Sequence, residues 1–230
     1  IILDSSANWS ASLKDLPKCD APGAKVDPKH EDTKFGKEKC ALYKVINSLS
    51  VADLGQFNFA LMLFNESPDD SGYPRKAFIQ VKTAADKQTL LNLISGLART
   101  GDNTNNASSA TSFYEAYQWF TGGTVHMGNK TASKHDASAF SDASKTRYRS
   151  PGLGCARNHI IYLANGSPAD NDNKALELLK RLNPTATRMS IPVAEDVKTT
   201  DAANWIDEFA AFLNGAADLD SGIEGAQNIT

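Results

Sequence analysis

Apolar positions along the chain follow two rhythms, separated by long polar stretches. Ile1–Leu3 is a short apolar run that stops at Asp4 and reads as a buried strand. Ala41, Leu42, Val45, Ile46 and Leu49 recur at helical spacing and predict a helix with one apolar face. "FNFALMLF" (Phe57–Phe64) is a continuous apolar run suited to a strand covered on both faces. "KAFIQV" (Lys76–Val81) alternates after the turn-rich "ESPDDSGYP", so the two runs predict a hairpin. Asp86–Leu97 carries Leu90, Leu91, Ile94 and Leu97 on one stripe, with Thr83 or Asp86 to cap a helix. Thr111–Phe120 predicts another helix, with Tyr114, Tyr117, Trp119 and Phe120 read as its core face. "HIIYLANG" (His159–Gly166) reads as a second strongly buried strand, and Asn173–Leu182 and Trp205–Leu213 as amphipathic helices.

Strands alternating with helices imply an α/β fold with a mainly parallel sheet. Two stretches break the rhythm: residues 9–36, a long polar insertion, and residues 121–150, whose Gly, Ser, Thr, Lys and Asp predict a surface insertion rather than core. In "RMSIPV" (Arg188–Val193), Pro192 removes a ladder donor and demotes the stretch to an edge or an extended connection. One flank of the sheet, beside the strand ending at Asn165, is therefore expected to be unpaired or completed by residues beyond Thr230. The chain starts inside a strand, as a segment of a longer precursor would.

With 230 residues, 41% of them hydrophobic, the chain can bury one sizeable core, and one domain spanning 1–230 is expected, continuing past its end. A net charge of −3 supplies no general attraction to phosphate backbones, so nucleic acid is not an expected partner. No stretch reaches the roughly 20 apolar residues of a membrane span. His30, His126, His135 and His159 are dispersed, and the nucleophile-elbow, P-loop and dinucleotide-binding patterns are missing, so no catalysis is expected. The three cysteines have no metal-ligand or redox-pair spacing. Cys19 and Cys40 flank a Pro/Gly-containing polar loop, which a disulfide would staple in an oxidising compartment; two unrelated thiols fit the sequence equally well.

In an open parallel sheet, ligands gather outside the carboxyl ends of the strands. Asp4 follows one predicted strand, Asn165 follows another, and Thr111 opens a helix after a Gly/Asn/Ser-rich loop, so all three are expected at one edge with Ser6. Asp4 and Ser6 after a strand also suit a simple turn, since both side chains readily bond nearby backbone.

Asp4-Ser5-Ser6-Ala7-Asn8 resembles the D-x-S-x-S first loop of the metal-ion-dependent adhesion site in von Willebrand factor type A domains. "TSFYEAY" (Thr111–Tyr117) is similar to the second-loop threonine and its helix, and "IIYLANG" (Ile160–Gly166) to the strand that usually ends in T-D-G. The segments "FALMLFN", "RKAFIQV", "SFYEAYQWFTGG", "YRSPGLGCARNHIIYLANGSPADND" and "NWIDEFAAFLN" resemble the corresponding domain of PilC/PilY-type adhesins at the tip of type IV pili. The resemblance implies a von Willebrand factor A-like (Rossmann-like), mainly parallel sheet flanked by helices, with long insertions. It further implies an extracytoplasmic adhesion module at the cell surface, pilus tip or periplasm. Its partners would be a protein or host-surface ligand and other pilus-tip or minor pilin components.

The implied metal ligands are Asp4, Ser6, Asn8, Thr111 and Asn165, for Mg²⁺ or alternatively Mn²⁺ or Ca²⁺. Asn8 stands where the family usually has serine and Asn165 where it usually has aspartate, so the site would be degenerate, with one carboxylate left. Mg²⁺ usually leans on one or two carboxylates and keeps several waters. The alternative is a structural or pilus-assembly domain in which this site is inert.

Overall fold

The computed structural model describes residues 1–6, 12, 19, 33–65, 71–102, 104, 108–130, 134–152, 158–164, 172–186 and 205–215. Its elements run β1 (Ile2–Leu3), α1 (Lys34–Ser48), α2 (Val51–Leu54), β2 (Asn58–Phe64), β3 (Gly72–Gln80), α3 (Ala84–Gly96), α4 (Arg99–Asp102), α5 (Ser109–Thr121), β4 (Tyr162–Leu163), α6 (Asp172–Leu182) and α7 (Ile206–Gly215). The described strands form a four-stranded sheet in the order β3-β2-β1-β4. β1 pairs in parallel with both β2 and β4, whereas β2 and β3 form the antiparallel hairpin expected from the two apolar runs. The fold is therefore α/β with a mostly parallel sheet, compatible with a Rossmann-like arrangement. Among the described residues no helix is long and apolar enough to cross a membrane.

The period-two alternation of a strand divides the core between two faces. Ile2, Met62 and Phe64 pack on one side with Phe113, Trp119 and Phe120 of α5 and with residues of α6 and α7. Leu3, Leu61 and Leu63 point the other way, toward Phe35 of α1 and Leu97. Leu42 and Ile46 of α1 meet Leu90, Leu91 and Ile94 of α3 on that second side. "FNFALMLF" is apolar throughout because β2 is covered on both faces; each fully buried side chain contributes roughly 1.5–3 kcal/mol. The start of α3 is set locally: the Thr83 hydroxyl accepts from the Asp86 amide while the Asp86 carboxylate accepts from the Thr83 amide, a capping box.

Three expectations change. Among the described residues of "HIIYLANG", which end at Ala164, the strand is short and not strongly buried: only Tyr162 and Leu163 are paired, both are half-buried, and Ile161 is 56% exposed. β4 is the outer strand among those described, with Ile160 and Tyr162 packed against the α5 side of the core and Leu163 against the α1 side. The stretch 121–150 is not confined to the surface. Ala139, Phe140 and Tyr148 are buried in the core cluster of α5, and Phe140 stacks on Tyr148 with ring centroids 5.5 Å apart. The adjacent Ala139 and Phe140 and the distant Tyr148 are too few to produce a periodic signal. The polar stretch 9–36 ends inside α1, whose Phe35 is 1% exposed. Arg188–Val193, Cys155 and the chain after Gly215 lie outside the described residues.

Two covalent or ionic ties hold the irregular segments. Cys19 and Cys40 are disulfide-bonded with their Cα atoms 5.6 Å apart, pinning the β1–α1 connection to the first half of α1. Asp136 ties the 134–150 segment to β3: one carboxylate oxygen accepts from Lys76 Nζ at 2.9 Å and the Ala77 amide at 3.1 Å. The other accepts from the amide and hydroxyl of Ser138. Burial pushes the Asp136 carboxyl up, but the bonds from Ser138, Lys76 and Ala77 outweigh it and hold it well below the usual carboxylate range.

Removing the disulfide in a Cys19→Ser/Cys40→Ser chain frees a loop of sequence separation 21 and should lower stability by about 3 kcal/mol in urea unfolding. The depressed Asp136 value makes its contribution complete above the unfolded carboxyl value of about 4 and lost as pH falls toward the folded value. Asp136→Asn should therefore flatten the fall of melting temperature below about pH 4; an unchanged acid limb would show that the carboxylate is not coupled to folding.

Candidate functional site

β1 feeds through α1 and α2 into β2 on one side, while β4 lies on its other side. The neighbours of β1 thus lie on both of its sides, and the carboxyl ends of β1 and β4 mark the switch point, the place where open α/β sheets bind ligands. Asp4 stands at that point. Its amide donates to Leu163 O at 2.9 Å, fixing the end of β1 beside the end of β4. Asp4 is buried, and its Oδ1 accepts from the Ser6 amide at 3.0 Å, closing an Asx-type turn.

The residues around it form a hydroxyl-rich rim. Ser5 is fully buried and its Oγ accepts from the Phe64 amide at 3.1 Å, tying the end of β1 to the end of β2. Thr104 bridges the same two strands: its amide donates to Ser5 O at 2.7 Å and its hydroxyl to Asn65 O at 2.7 Å. The amino end of α5 joins from the β4 side, where Tyr162 Oη donates to Ser109 Oγ at 2.9 Å. Thr111, on the first turn of α5, is 1% exposed, and its hydroxyl donates to Ser108 O rather than reaching outward. The hydroxyl oxygen keeps its lone pairs while donating its proton. Ser108 is fully buried, and among the described residues its Oγ has no hydrogen-bond partner. Asn8 and Asn165 lie outside the described residues, so of the five expected ligands only Asp4, Ser6 and Thr111 can be placed.

Behind the rim lies a group that sequence reading missed. Glu115, on the apolar face of α5, is fully buried. Its Oε1 accepts from Tyr148 Oη at 2.5 Å and the His126 amide at 3.0 Å; its Oε2 accepts from Ser71 Oγ at 2.7 Å and the Met127 amide at 3.0 Å. Four donors from three separate chain segments thus converge on one carboxyl group. A buried carboxylate is tolerated only when hydrogen-bonded in this way. Burial, and then the Glu115 carboxylate beside it, raise the Tyr148 phenol well above its ordinary value, so it remains a donor. Gly128 is required by the same packing, because a Cβ there would collide with Tyr148 Oη and crowd Glu115 Oε1. The signal in the sequence was a lone acid within "SFYEAYQWF", an apolar helix face; its donors could not be assigned without the fold.

Chemically, the rim offers hard oxygen donors around one carboxylate. Among the described residues no three His, Cys, Asp or Glu side chains gather as a metal-ligand cluster. A cation there would rest on Asp4 and neutral hydroxyls such as Ser6 and the unsatisfied Ser108, a donor set that suits a hydrated Mg²⁺ rather than a soft metal. No protein-family model, curated protein or solved structure matches this chain.

Glu115→Ala should cost at least about 3 kcal/mol in urea unfolding, because it leaves several buried donors without an acceptor, whereas Tyr148→Phe should cost about 1–2 kcal/mol. The double variant should lose clearly less than the sum, and simple additivity would mean that the two side chains are not coupled.

Proposed function

We propose that this domain is an extracytoplasmic adhesion module that engages a protein or host-surface ligand at the carboxyl edge of its parallel strands. It resembles the von Willebrand factor A-like domain of a type IV pilus tip adhesin. The observation that carries this reading is the position of Asp4, a buried carboxylate at the switch point between β1 and β4 with hydroxyls around it. The Cys19–Cys40 disulfide supports an oxidising compartment, since such bonds persist outside the reducing cytosol. Other pilus-tip or minor pilin components are the natural neighbours of such a module. Binding rather than catalysis is the role that a rim of hydroxyls around one carboxylate suits.

In this reading Asp4, Ser6, Asn8, Thr111 and Asn165 form a degenerate adhesion site for Mg²⁺, Mn²⁺ or Ca²⁺, and a bound cation would supply an electrophilic anchor for an acidic ligand group. The inert alternative has its own support: Asp4 Oδ1 is engaged by the Ser6 amide and the Thr111 hydroxyl by Ser108 O, as in a purely structural turn and helix start. In that case the domain serves pilus assembly without using the site.

A divalent-cation titration separates the two. A cation held at this edge should raise the melting temperature by mass action, with about 2.7 kcal/mol of added stability at 100 times its dissociation constant. The rise should vanish in Asp4→Asn and persist in an Asp142→Asn control on a distant exposed turn. No rise with any of the three cations would leave the inert scaffold as the answer.

A further inference from the structure

His135 is nine-tenths buried, at 9% exposure, yet among the described residues neither of its ring nitrogens has a hydrogen-bond partner. The ring stands edge-on to Phe140 with centroids 5.0 Å apart, and Phe140 stacks on Tyr148, the donor to Glu115. The segment carrying His135 is docked on two sides. The Asp136 amide donates to Pro74 O of β3, and the Asp136 carboxylate accepts from Lys76 and the Ala77 amide of the same strand. Tyr148 fastens its far end to α5.

Among the described residues, the charged groups bearing on the ring leave it no acceptor. Lys145, from the turn after Asp142, disfavours a positive charge there, whereas Asp136 favours it. Asp136, however, already accepts from Lys76 Nζ, the Ala77 amide, and the amide and hydroxyl of Ser138. Arg149 donates to Phe140 O, Arg75 of β3 is paired with Asp102 of α4, and the Lys134 chain runs beside Gly101 of α4. A neutral imidazole in this pocket leaves one donor unsatisfied. An imidazolium would leave two, together with a desolvated charge, at a cost that an apolar contact with Phe140 cannot offset.

We propose that His135 is an acid-operated latch: protonation drives its imidazole out from against Phe140 and releases segment 134–150 from β3 and α5. Burial lowers the His135 value, with Lys145 acting in the same direction and Asp136 opposing both. The neutral ring is therefore favoured in the closed form, the latch is fully closed above the exposed-histidine value of about 6.5, and it weakens as pH falls below that. Asp136 stays charged through this window because its carboxyl is held far lower, so acid acts on the histidine first.

The test is amide hydrogen exchange at pH 7.5 and about pH 5, corrected for intrinsic rates. Protection in residues 134–150 should fall about tenfold or more at the lower pH, while protection in α3 is retained. His135→Phe, which keeps an aromatic ring but cannot take a proton, should abolish the pH dependence, and His126→Gln should leave it intact. Equal protection at both pH values, or the same loss in His135→Phe, overturns the proposal. If His135→Phe fails to fold, an NMR titration of the unmodified protein decides. The His135 ring must titrate at the midpoint of the exchange change, and a ring that titrates while 134–150 stays protected overturns the latch.

Discussion

The fully buried Glu115 carboxyl group is the constraint around which the carboxyl side of this domain is organised. A carboxylate without partners is prohibitively costly inside a protein, so the chain must deliver donors to it, and it delivers four. Each comes with a structural consequence. Ser71 holds the return of the β2–β3 hairpin against α5, the amides of His126 and Met127 fix the turn after α5, and Tyr148 brings back the end of the same excursion. The Asn65 side chain donates to Met127 O at 2.9 Å, so the end of β2 is tied to that turn as well. One acidic residue on an apolar helix thereby sets where three connections run.

The rim at the switch point depends on this arrangement indirectly. Ser71 donates to both Glu115 and Thr111 O, so the first turn of α5 and the hairpin end move as one unit. Thr104 and Ser5 close the other side by bridging β1 and β2. A site assembled from strand ends in this way is rigid in its backbone and leaves its chemistry to a few side chains. Here these are Asp4, Ser6 and the unsatisfied Ser108 hydroxyl. An unpaired buried hydroxyl at such a place costs free energy unless a ligand or water meets it.

The segment 121–150 shows how a polar composition can conceal core residues. Its apolar members are few and widely spaced, yet Ala139, Phe140 and Tyr148 join Trp119 and Phe120 in one cluster. Polar residues do the folding between them. Asp142 accepts from Thr146 and Arg147 to shape a turn in which Lys145 takes a left-handed φ of 55°, and Asp136 and Asn129 tie its ends. The segment is therefore a hydrogen-bonded excursion whose few apolar side chains are aimed inward.

Features governed by near neighbours were legible in the sequence. The two faces of β2 follow from strict alternation, α1, α3, α5 and α6 from apolar residues at helical spacing, and the start of α3 from a threonine followed three residues later by an aspartate. The candidate edge was legible too, because Asp4 must follow β1 whatever the rest of the chain does. What tertiary structure decided was every interaction between segments distant in sequence. The Thr111 hydroxyl donates to Ser108 O, a bond that needs the first turn of α5 in place. "HIIYLANG" became a short, half-buried outer strand because, among the described residues, only β1 lies beside it. Glu115 acquires its role only when Ser71, His126, Met127 and Tyr148, 11 to 44 residues away, converge on it. Periodicity records which face of an element is apolar; it carries no information about which distant donor will meet a buried acceptor, and that depends on how the elements pack.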